Sequence, residues 1–242
     1  MHRPLVIAHR GASAYEPENT MAAFRRAIAL GADMIELDVR RSQDGVLVIH
    51  HDADLEGQAI ATLTWNEIQA IAPQVPTLDA VIALCKGKIL LDVELKETGY
   101  EPEVTQCLLR QLPIEAFVVT SFNASTVEWI KLHSPAIATG YLIETSTVEP
   151  FSTPEDWIAK TLQLGADFIA PDWQMVDGAF AQAAQLCELP LWVWTVNDEV
   201  PMAHLLQLDP IAAIITNYPD RGLRLRQSQA GAIASQPATV HH

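Results

Sequence analysis

Four short segments of the sequence combine charged side chains or histidines with strongly apolar neighbours. They are His9-Arg10, Glu36-Leu37-Asp38, His51-Asp52 and Glu94-Leu95-Lys96. Residues two apart in a strand share one face, so each of the two triplets presents its outer pair on the same side. A buried carboxylate is costly unless a cation or a metal ion accompanies it. The segments therefore predict a cluster of acids, bases and cations at one place in the fold.

The acidic members of this cluster suit a hard divalent cation. Glu36, Asp38 and Glu94 offer carboxylate oxygens with little soft donor content around them. Such a set favours Mg2+ or Ca2+ over zinc, with Mn2+ as a further option. Asp92 lies on the same strand face as Glu94, and we assign it a supporting place beside the ligands.

The basic members suit phosphoryl chemistry. Arg10 and Lys96, together with the metal ion, can neutralise phosphate oxygens. Histidine is a residue type able to titrate near neutrality, so His9 and His51 are candidates to exchange protons with a nucleophile and a leaving group. A phosphodiester needs both transfers, because its alkoxide leaving group is poor. The pattern therefore predicts hydrolysis of a phosphodiester.

The elements that must position these residues alternate along the chain. The predicted strands are Leu5–Ala8, Met34–Val39, Ile89–Leu95, Phe117–Thr120, Ile137–Leu142, Phe168–Ala170, Leu191–Thr195 and Ala213–Thr216. The predicted helices are Thr20–Leu30, Leu78–Cys85, Glu103–Leu112, Ser125–Leu132, Glu155–Leu164 and Ala179–Cys187. This α/β pattern is typical of a (β/α)8 TIM barrel, whose active sites lie at the C-terminal ends of the strands.

A doubly wound open sheet is the alternative fold. It usually has fewer strands and a first turn of the form GxGxxG, whereas the turn here is His9-Arg10-Gly11-Ala12-Ser13. An internal echo favours the barrel, since Leu-Gly-Ala-Asp-x-Ile occurs at Leu30–Ile35 and again at Leu164–Ile169. The two copies precede the second and sixth predicted strands, half a barrel apart.

A ninth strand-like run, Val46–His50, follows the second strand with no helix between them. The connection ends in Asp44-Gly45, a hairpin signal, and is too short for a parallel crossover. The run should therefore form a small hairpin extension, antiparallel to strand two. With the turn between residues 43 and 44, residue 36 faces residue 51 to within two residues. That register returns His51 to the level of Glu36.

Composition limits the class of protein. The 242 residues, 49% of them hydrophobic, can fill one large domain. A formal charge of −15 argues against a nucleic-acid partner, whose phosphates it would repel, but not against a small anionic substrate bound by local cations. Three scattered cysteines without CxxC spacing favour neither a disulfide framework nor a zinc site.

We recognise no targeting signal in the sequence. The sequence shows no signal peptide and no apolar run long enough for a bilayer, so we expect a cytoplasmic protein with no membrane insertion. We expect a barrel domain over residues 1–226. Residues 227–242, rich in Ser, Ala and Gln, are predicted to be a disordered tail. The sequence leaves open whether the protein forms a homo-oligomer.

The order of the motifs resembles the glycerophosphodiester phosphodiesterase family, in its cytoplasmic bacterial type. The matching segments are His9-Arg10-Gly11, Pro17-Glu18-Asn19-Thr20, Gly31–Val39, Asp44-Gly45, His51-Asp52, Val93–Lys96, Thr120-Ser121-Phe122 and Val193–Asn197. The resemblance covers about residues 5–222. It implies metal-dependent hydrolysis of a small-molecule glycerophosphodiester, such as glycerophosphocholine or glycerophosphoethanolamine, to glycerol 3-phosphate and an alcohol.

The resemblance also implies roles for matching positions. Grouped by role, they are His9 and His51 as the acid/base pair, Glu36, Asp38 and Glu94 as metal ligands, Arg10 and Lys96 as phosphate-binding residues, and Phe122 and Trp194 as walls near the glycerol. Glu18 is expected to orient neighbouring site groups. Asn19 is expected to act as the N-cap of the helix that begins at Thr20. The resemblance leaves open which histidine is the general acid. It also leaves open whether a cyclic phosphate intermediate forms.

Two departures from the family pattern bear on substrate preference. Leu55-Glu56-Gly57-Gln58 stands where many members have an Arg-Thr pair, and Asp92 stands where Asn is common. The stretch between His51 and Leu78 is short, which predicts a small insertion and an open mouth. The alternatives are a related barrel phosphodiesterase for lysophospholipids or phosphoinositides, and a catalytically silent polyol-phosphate binding protein.

Overall fold

The computed structural model describes residues 3–145 and 153–234, with side chains described as far as residue 229. Its strands are β1 (Leu5–Ala8), β2 (Met34–Arg41), β3 (Leu47–Ile49), β4 (Asp54–Leu55), β5 (Gln58–Ala59), β6 (Leu90–Leu95), β7 (Phe117–Ser121), β8 (Thr139–Ile143), β9 (Phe168–Pro171), β10 (Leu191–Val193) and β11 (Ile211–Thr216). Its helices are α1 (Met21–Leu30), α2 (Trp65–Ile71), α3 (Leu78–Cys85), α4 (Glu101–Gln111), α5 (Ala124–His133), α6 (Pro154–Gln163), α7 (Gly178–Leu186), α8 (Glu199–Leu205) and α9 (Pro219–Ala234).

Eight of the described strands form a closed parallel barrel. Their order is β1-β2-β6-β7-β8-β9-β10-β11, and β11 pairs with β1 to close the ring. Helices lie between successive strands. The predicted TIM barrel is therefore confirmed, and the open doubly wound sheet is wrong. Closure brings the C-terminal ends of all the barrel strands to one mouth.

The barrel interior below the mouth is packed with apolar side chains. The rings of Phe168 and Trp192 stack there with their centroids 4.1 Å apart. The Phe168 ring lies against β8 at Gly140, where an added Cβ would come within 2.1 Å of the ring. Only a glycine fits at that point of close approach. The filled interior leaves the mouth as the place where a ligand can enter.

The repeated Leu-Gly-Ala-Asp segment has a clear structural basis. In each copy the glycine ends a helix with positive φ, 79° at Gly31 and 73° at Gly165. The aspartate that follows accepts a hydrogen bond from the backbone of a neighbouring strand. Asp33 accepts from Val6 N at 2.7 Å, and Asp167 accepts from Thr139 N at 2.7 Å. The echo therefore marks the same strand-anchoring turn at two places in the barrel.

The hairpin after β2 folds back as predicted. β3 pairs antiparallel with β2, with Val39 opposite Ile49 and Arg41 opposite Leu47. Continued along the strand, this register places residue 37 opposite residue 51, one residue from the predicted partner. His50 N extends the pairing by donating to Asp38 O at 3.0 Å. His51 is thereby held at the level of the acidic residues of β2.

The segment between His51 and Leu78 forms a small lobe beside the barrel. It contains the two-residue strands β4 and β5 and the short helix α2. Leu55, Ile60 and Ile68 pack in its own apolar cluster with Val48 of the hairpin. The lobe matches the small insertion predicted from the sequence, and it stabilises the hairpin that carries His51.

The C-terminal end differs from the prediction. The sequence pattern predicts six of the described helices to within two residues at each end but misses α2, α8 and α9. The tail predicted from residue 227 is wrong as far as Ala234, because α9 continues through it. Its Gln and Ala residues have high helix propensity and extend a helix already anchored by buried Arg226. Residues 235–242 of the predicted tail lie outside the described residues. No described helix is long and apolar enough to cross a membrane.

Candidate active site

A cavity of about 410 Å3 opens at the C-terminal ends of the barrel strands. Nine of the residues singled out from the sequence line it, namely His9, Arg10, Glu36, His51, Asp92, Glu94, Lys96, Phe122 and Trp194. Asp38 and Glu18 adjoin it through contacts with Arg10. Thr120, Leu142, Glu144 and Ile215 complete the lining. The structure thus brings together residues that are far apart in the chain.

Three buried carboxylates converge at one side of the cavity. Glu36, Asp38 and Glu94 each present an oxygen within 4.8 Å of the others. Lys96 Nζ lies 2.6 Å from Glu94 Oε1 and 3.4 Å from Asp38 Oδ1. Among the described residues, Glu36 Oε1 and Asp38 Oδ1 are buried and accept no hydrogen bond. Buried acceptors of this kind are available to ligate a cation.

The electrostatics of the carboxylates also favour a bound cation. Burial, together with the charges of Asp38 and Glu94, raises the pKa of Glu36 well above its ordinary value. Burial and the charge of Asp38 raise the pKa of Glu94 to about 7. Asp38 behaves differently, because Lys96 and Arg10 outweigh the effect of burial and lower its pKa. A divalent cation would supply the positive charge that the two glutamates lack, so the residues fit such an ion.

Asp38 is oriented by Asn19, which corrects the predicted role of that asparagine. The N-cap of α1 is Thr20, whose Oγ1 accepts from Ala23 N at 3.2 Å. The buried Asn19 instead donates from Nδ2 to Asp38 Oδ2 at 2.7 Å, and its Oδ1 accepts from Asp38 N at 3.4 Å. An Asn before a Ser or Thr at a helix start is ambiguous between capping and a longer-range contact, so the sequence signal was misread.

The loop after β1 places Arg10 against the acids. Its backbone N donates to Glu36 Oε2 at 2.8 Å, and its Nε lies 3.2 Å from Asp38 Oδ2. Glu18 Oε1 accepts from Arg10 Nη1 at 2.9 Å, so Glu18 contacts a neighbouring site group. Gly11 has φ 81°, and an added Cβ there would lie 2.7 Å from the Ala23 backbone. The glycine thus lets the loop pack closely on α1.

His9 is half-buried and held by an amide. Its Nδ1 lies 2.7 Å from Asn217 Oδ1. Because an amide oxygen can only accept, this contact assigns the proton to Nδ1 and leaves Nε2 unprotonated. Nε2 lies 3.9 Å from Glu36 Oε2. Burial, and next the charge of Arg10, lower the pKa of His9 to about 4. His9 is thus kept neutral with a free acceptor nitrogen.

Asn217 is a site residue that sequence reasoning missed. Its backbone N donates to Asn197 Oδ1 at 2.9 Å, which fixes it beside the last barrel strand. The missed signal is its position directly after the apolar strand Ile211–Thr216, the same kind of strand-end position that singled out His9 after β1.

His51 has a different environment. Its side chain is 35% exposed, and its Nδ1 lies 2.9 Å from Asp52 Oδ1. The ring partner of His51 is the carboxylate of Asp52, whereas that of His9 is the side-chain amide of Asn217. The two histidines therefore flank one cavity in chemically distinct settings.

The remaining walls combine aromatic rings with a buried acid. Phe122 and Trp194 meet edge to face with their centroids 5.4 Å apart, and Trp194 Nε1 donates to Ala170 O at 2.8 Å. Asp92 Oδ1 accepts from Thr120 Oγ1 at 2.7 Å, and burial raises the pKa of Asp92 to about 7. The cavity thus has a charged side and an apolar side, as a phosphate ester with a small organic group would need.

The chain is similar to known proteins along most of its length. The sequence model of the Glycerophosphoryl diester phosphodiesterase family matches residues 9–221. A glycerophosphodiester phosphodiesterase from Caldanaerobacter subterraneus subsp. tengcongensis is 29% identical, over 92% of this chain and 98% of that protein. One from Bacillus subtilis is 26% identical, over 90% of this chain and 85% of that protein.

Solved structures share the fold. A phosphodiesterase from Oleispira antarctica, solved in complex with the product sn-glycerol-3-phosphate, superposes with a TM-score of 0.81 at 26% identity, over 93% of this chain and 97% of that one. A glycerophosphodiester phosphodiesterase from Thermotoga maritima gives a TM-score of 0.80 at 25% identity, over 93% of this chain and 99% of that one. The family match spans most of the sequence, and this chain therefore belongs to the glycerophosphoryl diester phosphodiesterase family.

Proposed function

We infer that this protein hydrolyses glycerophosphodiesters, such as glycerophosphocholine or glycerophosphoethanolamine, to glycerol 3-phosphate and an alcohol. The observation that carries the proposal is the convergence of Glu36, Asp38 and Glu94 within 4.8 Å beside two histidines in one cavity. The product named for the Oleispira antarctica structure supports the same chemistry.

The three carboxylates would hold one divalent cation, Mg2+ or Ca2+, with Mn2+ as a further candidate. When bound, the cation would supply positive charge against the phosphate oxygens. Arg10 and Lys96 face the same cavity and would bind the remaining phosphate oxygens. Their own contacts with Asp38 hold both cations at the acidic side of the cavity. The phosphate would therefore lie above β2 and β6.

The histidines would divide the two proton transfers. His9 Nε2, left unprotonated by the contact with Asn217, can accept a proton from the attacking hydroxyl of glycerol or water. His51, with Nδ1 on Asp52, can donate a proton from Nε2 to the leaving alkoxide. The phosphorus–oxygen bond to the alcohol breaks as the new bond forms, and both protons are accounted for.

The apolar side would receive the glycerol. Phe122 and Trp194 offer ring surface for its carbon atoms within the same cavity. His51 is the more exposed histidine, so the alcohol it protonates would lie toward the open mouth. That placement lets headgroups of different size extend outward.

A coupled assay for released glycerol 3-phosphate tests the proposal. It would compare glycerophosphocholine, glycerophosphoethanolamine and lysophosphatidylcholine with Mg2+, Ca2+ or Mn2+ added to chelator-treated protein. We expect release from the first two substrates, loss of activity in EDTA and recovery with a divalent ion. Rates that are unchanged in chelator would refute the carboxylate metal site. Selective cleavage of lysophosphatidylcholine would indicate the alternative activity, a barrel phosphodiesterase for lysophospholipids.

Substitution of the histidines tests the catalytic pair. His9→Ala and His51→Ala should each lower turnover at least ~100-fold, the scale of a lost general acid or base. His50→Gln is the matched control, because His50 neighbours His51 in sequence and does not line the cavity. Full turnover in both alanine variants would mean that a different pair of groups transfers the protons.

A further inference from the structure

We propose that Arg40 is a positioning residue, which holds the backbone of His51 in place over the carboxylate cluster. The proposal rests on the proposed function, since it concerns how one of the two proton-transferring groups is placed. It goes beyond it by assigning a role to a residue that does not itself line the cavity.

Arg40 lies on the inward face of β2. Alternate residues of a strand point to the same side, so Glu36, Asp38 and Arg40 form one row that rises toward the mouth. The first two members are predicted metal ligands. The third is 7% exposed, which is unusual for an arginine and requires that its donors be satisfied.

The donors of Arg40 are satisfied by the hairpin and by one acid. Its Nε and Nη2 donate to the backbone oxygen of His51 at 2.9 Å and 2.6 Å. Its Nη1 binds the carboxylate of Glu97, in the loop after β6. Two donors of one planar group on a single carbonyl oxygen fix both the distance and the direction of that carbonyl.

The ring partner of His51 cannot supply the same restraint. Asp52 is the next residue in the chain, and its side chain is 73% exposed. It therefore moves together with His51 and orients the ring only relative to the hairpin. The β-ladder between β2 and β3 ends at Ile49, with one further bond from His50 N to Asp38 O. Arg40 extends the hold of β2 to His51 itself.

The consequence is that one strand, β2, positions both the predicted metal ligands and His51, the proposed general acid. One face of β2 carries two of the three predicted ligands and the arginine that holds His51, so this strand helps to set the distance between cation and imidazole. A misplacement of about 1 Å can lower a rate on the order of 100-fold. A lysine at position 40 has no fork and could bind the carbonyl only through one point charge.

Arg41 provides a matched control within the same strand. It has the same side chain but lies on the opposite face, where it binds Glu103 at 2.8 Å and Gly99 O at 3.1 Å. It makes an ion pair of the same chemical type as that of Arg40 and has no contact with His51. Loss of Arg41 therefore reports what a nearby surface ion pair contributes on its own.

The experiment compares Arg40→Lys, Arg40→Ala and Arg41→Ala at saturating metal, alone and in a His51→Ala background. We expect Arg40→Lys to lower kcat by ~10-fold to ~100-fold, with KM within about twofold of wild type, because binding groups are untouched. Arg41→Ala should keep the wild-type kcat. In the His51→Ala background, Arg40→Ala should cause no further loss, because it acts through His51.

A second measurement is independent of turnover. Amide hydrogen exchange of residues 50–54 should accelerate in Arg40→Lys and stay unchanged in Arg41→Ala, while the melting temperature of Arg40→Lys follows that of the control. Equal losses of kcat with and without His51, or unchanged exchange in a lysine variant that has lost activity, would overturn the proposal. Absence of glycerol 3-phosphate release by the wild type would instead refute the proposed function. The hydrogen-exchange measurement would still test whether Arg40 restrains the backbone of His51.

Discussion

Without a cation bound to its carboxylates, this protein should become less stable as pH rises. Glu94 is the clearest source, since burial and the charge of Asp38 raise its pKa from 4.5 to about 7 in the folded chain. A raised pKa means that the folded state holds a proton that the unfolded state has released. The resulting stabilisation is fully present below pH 4.5 and is lost as pH rises through 7.

The size of the effect follows from the shift. Moving from 4.5 to about 7 corresponds to about 3 kcal/mol at most between the two limits. For a chain of this length, about 3 kcal/mol lowers the melting temperature by roughly 6–12 °C. Glu36 and Asp92 have pKa values raised by the same burial, so their contributions have the same sign. A bound cation should remove the loss, because it favours the charged carboxylates.

The assay is thermal unfolding of chelator-treated and Mg2+-loaded protein between pH 5 and pH 8, the range over which the Glu94 proton is released. The chelated wild type should lose stability with rising pH, whereas Glu94→Gln should lose less and gain little from the cation. Glu115→Gln controls for the net negative charge, because Glu115 is an exposed acid away from the cavity. A flat or rising curve for chelated wild type, or equal slopes for wild type and Glu94→Gln, would refute the reasoning.

Three further outcomes are expected. Asn217→Leu should lower kcat by ~100-fold with little change in KM, because His9 loses the contact that keeps its acceptor nitrogen free; steady-state kinetics measure this. Asn19→Ala should weaken metal affinity by ~10-fold to ~100-fold, because Asp38 loses its orienting amide; calorimetric titration of the metal measures it, and an unchanged affinity would contradict the role. Trp194→Ala should raise KM for glycerophosphocholine more than it lowers kcat, since it removes a wall of the cavity; the reverse split would contradict a binding role.

Local sequence signals predicted the barrel because each of them has a local cause. The helix-ending glycines, the apolar strands and the Asp44-Gly45 turn all act within a few residues. The hairpin register was predicted to within one residue for the same reason. Spacing of two residues then placed the charged side chains of β2 and β6 on common faces.

The contacts that sequence reasoning missed join distant parts of the chain. Asn217 reaches His9 across 208 residues of sequence, and Asn19 reaches Asp38 across a whole helix. Neither pairing follows from propensity or periodicity, because each depends on closure of the barrel. The tail was misassigned for a related reason. Arg226 of α9 binds Asp33 and Pro4 O, and this long-range anchor stabilises a helix that the local composition left ambiguous.

The register between β2 and β6 gives a physical reason why the mouth would bind a metal. Glu36 lies opposite Asp92, and Asp38 lies opposite Glu94. Like charges directly opposite each other in a sheet are destabilising. In the described cavity, these four carboxylates meet two cations, Lys96 and Arg10, and the deficit of two charges equals that of one divalent ion.

The next position of the same register completes the site. Val39 lies opposite Leu95, so one further residue places Arg40 beside Lys96. The two cations then turn in opposite directions, Lys96 toward Glu94 and Asp38, and Arg40 toward the carbonyl of His51. A compact ammonium suits the crowded acids, and a planar guanidinium suits the carbonyl and carboxylate it bridges. Lys96→Arg should therefore impair metal binding, and Arg40→Lys should impair catalysis.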